Sequence, residues 1–163
     1  MSDWHPQEYF HQNKPKNNAS KTNSSSNQER TVDITDKLNT VMAVNTEELS
    51  QVNESFGCWA ATMYFEEMVR PGGEWDFKSQ ASWDLDPSTT YIYEGVSLRY
   101  DDIGNIHYGY VGRVLFNEQI LLQMGGAVQI VTRTSKLSYY KTWFDDPHDS
   151  KMISYGYHLW DVN

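Results

Sequence analysis

Apolar residues recur at three- and four-residue spacing through Leu49, Val52, Phe56, Ala60 and Met63, which predicts one buried face of a helix. Just ahead of them, Asn45-Thr46-Glu47-Glu48 offers an amide oxygen for the first unpaired backbone donors and a glutamate three positions on to reach back. The helix is expected to run to about Val69, where Arg70-Pro71-Gly72-Gly73 stops it. On this wheel Glu67 lies 18 residues after Leu49, five full turns, so it continues the apolar stripe near the helix C-terminus. Burial and the helix dipole would both raise its pKa, as a general acid requires. The alternative is that the helix ends earlier and Glu66 and Glu67 are both solvated.

Residues 74–90 carry no periodicity and read as loop. Residues 91–98 are rich in strand formers, Asp101-Asp102-Ile103-Gly104-Asn105 reads as a turn, and 106–108 as a short return strand. Helical spacing resumes from Asn117 with Ile120, Leu121, Met124, Ala127, Val128 and Val131, interrupted by Gly125-Gly126. Asp146-Pro147-His148-Asp149 is a helix start with a capping acid and a proline at the first turn. That last helix is expected to reach about Trp160, with Met152, Ile153, Tyr157 and Trp160 inward. The fold class this implies is α+β: a helix-dominated single domain with a small β-hairpin.

Residues 11–30 contain no large apolar side chain, so nothing offsets the entropy of ordering them. The division is therefore a disordered linker over 1–40 and a folded domain over 41–163. Of the 22 acids and 13 Lys and Arg in the chain, five of each fall in 1–40, so the whole excess of −9 sits in the folded part. Such a surface repels phosphate backbones at long range and argues against general DNA-binding or membrane-surface roles. The single cysteine, Cys58, excludes an intrachain disulfide. The N-terminal residues show no basic and apolar pattern of a secretory signal, and no membrane span is expected.

Five scattered histidines and no paired cysteines give no zinc pattern, and no metal or cofactor is expected. Neither Gly104 to Gly109 nor Gly109 to Gly112 has a nucleotide-loop spacing. Cys58, a dozen residues into the predicted helix, reads as a buried structural thiol rather than a nucleophile. What remains is a set of polar groups on two glycine-rich stretches: Asp76 and Lys78 on one, Asp101, Asn105, His107 and Tyr108 on the other. They are expected face to face in one cleft, with His107 either moving protons near neutral pH or hydrogen-bonded as a structural residue.

Val69 to Lys78 and Ile103 to Gly112 resemble the two central motifs of the bacterial polymorphic toxin type 44 domain. Leu121 to Gln129, and Asp145 to Asp149 through Ile153 and Gly156, are similar to that family in the same order. The resemblance implies a C-terminal toxin domain of a secreted effector used in interbacterial competition. It further implies an upstream delivery module joined through the polar N-terminal segment, and a cognate immunity protein. The matching polar residues are Asp76, Lys78, Asn105, His107, Tyr108, Gln129, Asp146 and Asp149.

Three functions follow as expectations. The first is hydrolysis of cell-wall glycan in the target periplasm. Glu67 would be the proton donor, Asp76 or Asp101 the second carboxylate, and Trp75, Asn105, Tyr108, Tyr110, Gln129 and Asp146 substrate contacts. The second is a metal-independent ribonuclease in the target cytoplasm, using His107 and Lys78. The third is a non-enzymatic binding module.

Overall fold

The computed structural model describes residues 30–124 and 147–161. Strand β1 (Thr31–Asp33) leads into a long helix, α1 (Thr35–Val69), followed by a loop containing a 3-10 turn at Phe77–Ser79. Strands β2 (Thr90–Tyr93) and β3 (Val96–Leu98) come next, then helices α2 (Asp102–Gly112), α3 (Glu118–Met124) and α4 (Pro147–His158) and a closing 3-10 turn, Leu159–Asp161. Helices dominate and the sheet is small, as the sequence pattern implies. No helix among these residues is long and apolar enough to cross a membrane.

The three strands lie in the order β1-β2-β3, β1 parallel and β3 antiparallel to β2. The hairpin closes through Glu94-Gly95, whose φ values of 50° and 77° are the positive pair that a tight two-residue hairpin turn requires. Tyr91 and Tyr93 alternate inward. Residues 106–108, expected as a return strand, are helix instead. Ile103, Ile106 and Val111 supply an inward face at helical spacing, while Gly109 among them is a packing position rather than a turn.

Helix α1 starts ten residues before the expected cap. The stripe Ile34, Leu38, Met42, Asn45, Leu49 is continuous and buried, and the Asp33 carboxylate accepts the Thr35 amide at 2.9 Å. Residues 31–40, assigned to the linker, therefore contribute a strand and the first helical turns, and residues 1–29 lie outside the described part.

At Gly57 the backbone leaves the helix (φ 83°, ψ 167°), a conformation open essentially to glycine alone. The Tyr64 hydroxyl donates to Glu48, 16 residues earlier, at 2.5 Å. In a straight helix those residues would be about 24 Å apart along the axis, so the two arms fold back on each other. The buried face after the break is Ala61, Thr62, Phe65 and Met68. Met63, expected inside, is exposed because the wheel restarts at the break. Phe56, also expected inside, precedes the break and is exposed because it sits at the corner, where residues 54–59 all face solvent. Cys58, expected to be buried, is exposed for the same reason.

Helices α2 and α4 cross at close range. A Cβ on Gly109 would stand 2.0 Å from the Ile153 carbonyl oxygen, and one on Gly156 would stand 2.0 Å from that of Ile106. Met152, Ile153, Tyr155 and Leu159 bury this seam. Trp160, predicted inward, is 38% exposed; its indole N–H donates to the Tyr110 carbonyl at 3.1 Å.

Candidate functional site

The two glycine-rich stretches do meet, but through rings. Trp75, 4% exposed, sets its edge against Tyr64, Phe65 and His107, and Phe77 lies 4.7 Å from the His107 ring. Trp75 is a pillar of the core, with no face left for a sugar. Asp76 turns back on its own loop, accepting from the Gly72 amide at 2.9 Å and from the Ser79 hydroxyl. Lys78 is exposed.

His107 is enclosed at 1% exposure, and its Nε2 accepts from the Asn45 side-chain amide at 2.8 Å, which puts the ring proton on Nδ1. Burial lowers its pKa from 6.5 to about 3. Enclosed at this depth and hydrogen-bonded to Asn45, the neutral ring is part of the packed interior. The unfolded chain protonates it below pH 6.5 while the folded protein does not until about pH 3, so this group removes stability as pH falls between those values. The expected loss is about 1.4 kcal/mol per pH unit across that window. Urea unfolding of wild type and His107→Gln at pH 7 and pH 5 checks this. The variant should show the shallower loss, and equal losses would refute the assignment.

Glu67, expected on the buried stripe, is not buried. The break at Gly57 cancels the phase that aligned it with Leu49, leaving it exposed and paired with Arg70 at 2.5 Å, which lowers its pKa. A carboxylate held in its ionised form is the reverse of a proton donor. Its neighbour Glu66 is raised by partial burial and by the charge of Glu67. On α2, Tyr108 packs 5.3 Å from Phe65 and reaches the Leu121 carbonyl at 3.4 Å, and burial pushes its phenol up. Tyr110 packs against Trp160. Gln129 and Asp146 lie outside the described residues.

The polar groups that do converge stand at the start of α2 and α4. Asp102, 2% exposed, accepts the Arg99 amide at 2.8 Å through one oxygen and holds His148 Nε2 at 2.7 Å through the other. Arg99 spans the group: its Nε is 3.2 Å from Asp101 and 3.5 Å from Asp102, and its Nη2 is 3.8 Å from Asp149. The Asn105 amide donates to the same Asp149 oxygen at 3.0 Å. His148 keeps 31% of its side chain exposed. A buried carboxylate fixing a partly open imidazole is an arrangement that orients a general acid–base group. With His148 protonated, three carboxylates, one guanidinium and one imidazolium leave a formal charge of −1.

Of the predicted site residues, Asp101 and Asn105 belong to this cluster. Sequence reasoning missed Arg99, Asp102 and His148. Asp101-Asp102 and Pro147-His148-Asp149 were visible as a turn and a helix start, but nothing local joins positions separated by 46 residues.

A family model described as bacterial toxin 44 matches residues 64–162, which takes in the end of α1 from Tyr64 and every member of the cluster. The chain belongs to the bacterial toxin 44 family. The α2–α4 seam that sets Asp102 against His148 lies wholly within the matched span. Comparison with curated proteins and with solved structures finds no match.

Proposed function

We propose that this toxin 44 domain is a hydrolase acting on cell-wall glycan, with His148 in place of Glu67 as the group that moves the proton. The observation supporting this is the 2.7 Å contact between buried Asp102 and half-buried His148, set among Asp101, Asp149 and Arg99. Protonated His148 gives its proton to the leaving glycosidic oxygen. The Asp149 carboxylate, positioned by Asn105, takes one from the water that attacks the anomeric carbon, and solvent exchange restores both groups. Asp102 is a positioning residue that holds the imidazole.

The charge of the cluster favours a glycan over RNA. Glycoside cleavage builds positive charge on the sugar ring, which a net-negative surround stabilises, whereas a phosphodiester brings negative charge to carboxylates that repel it. The reading includes injection into the target periplasm, an upstream delivery module and a cognate immunity protein.

Expression with and without an export signal tests the compartment. The glycan reading predicts growth arrest with the signal and none without it. Arrest confined to the cytoplasmic form would replace it with the ribonuclease reading, and arrest with no substrate turnover in either form would leave a binding module.

A further inference from the structure

The corner in α1 presents an apolar tip. Phe56 is 75% exposed, Trp59 64% and Met63 38%, and Gly57 between the first two has nothing within 4 Å of where a Cβ would be. Large aromatics exposed together on a folded surface mark a contact site more often than chance exposure does. The chain on either side of the tip is acidic, and of its glutamates only Glu67, at the far end, is paired with a cation among the described residues, Arg70. From Leu38 to Val69 the chain holds five glutamates (47, 48, 54, 66 and 67) and no lysine, arginine or histidine.

We infer that the tip formed by Phe56, Trp59 and Met63 is a docking surface for a partner protein whose apolar pocket is rimmed by lysine and arginine. The charge selects among occupants. A second copy of the chain would bring a second set of glutamates against the first, and an anionic membrane would repel the same set. A basic protein is steered in by them, and Trp and Phe are the residue types that anchor such contacts once water is excluded. The fold-back at Gly57 serves this geometry, because a continuous helix would not turn Phe56 and Trp59 out at an apex.

The test uses the full chain and, as probe, the protein encoded by the reading frame directly downstream. Titration calorimetry should give binding that weakens with salt. Phe56→Ser and Trp59→Ser should each raise Kd by at least about 30-fold, and Glu54→Lys should slow association. Ile120→Ser, at an exposed apolar position on α3, should change nothing. Failure of the probe to bind, or equal Kd for wild type and Trp59→Ser, overturns the proposal. So does sedimentation showing a dimer that Trp59→Ser dissolves, or cosedimentation with phosphatidylglycerol vesicles. Because the tip variants leave the Asp102–His148 cluster untouched, their outcome is separable from the hydrolase reading.

Discussion

Replacing Gly109 or Gly156 with alanine is expected to destabilise the domain by about 3 kcal/mol or more. Each added methyl would stand 2.0 Å from a backbone carbonyl oxygen of the opposing helix, at Ile153 or Ile106, and backbone cannot swing aside as a side chain can. Helices α2 and α4 must separate to admit it. Gly104 is the internal control: it lies on α2, has nothing within 4 Å, and should tolerate alanine with a gain of about 0.5–1 kcal/mol. Thermal or urea unfolding of the three variants checks the account, and a Gly109→Ala protein as stable as Gly104→Ala would refute it. The seam also holds the proposed catalytic pair together, since Asp102 rides on α2 and His148 on α4.

Changing His148 to asparagine is expected to lower the rate about 100- to 10,000-fold, the usual weight of a general acid–base group. The fold should survive, because His148 is half-buried and its partner Asp102 keeps the Arg99 amide. Asp102→Asn should cost less and change the pH–rate profile, since it alters how the imidazole is held without removing it. Glu67→Gln and Lys78→Met should stay within about twofold of wild type, as surface substitutions away from any special feature do. A Glu67→Gln protein without activity would return the proton to the first helix.

Helix content and the final helix were legible because each rests on local periodicity and capping chemistry. A small hairpin was expected, but its turn falls at Glu94-Gly95, inside the stretch read as one strand. Residues 102–112 were misread because Gly104, Gly109 and Gly112 are poor helix formers and resemble turn signals. The purpose of the latter two shows only when Ile153 and Tyr157 are placed against Gly109, and Leu121 and Phe65 against Gly112. The phase argument for Glu67 failed at a single residue, Gly57, whose positive φ resets the helical wheel. His107 was read from the sequence as either a proton carrier or a hydrogen-bonded structural residue; its environment of Trp75, Phe77 and Asn45 is tertiary, and no local spacing could reveal it. Asp102 and His148 come together only because the α2–α4 crossing brings their helices side by side, and no spacing rule reaches across that distance.

The most direct measurement is release of reducing ends from purified cell-wall glycan by the full-length protein, its His148→Asn variant and its Glu67→Gln variant. The account predicts release by wild type and Glu67→Gln and a loss of at least about 100-fold in His148→Asn. Equal release by His148→Asn, or no release by wild type alongside cleavage of RNA, would contradict it.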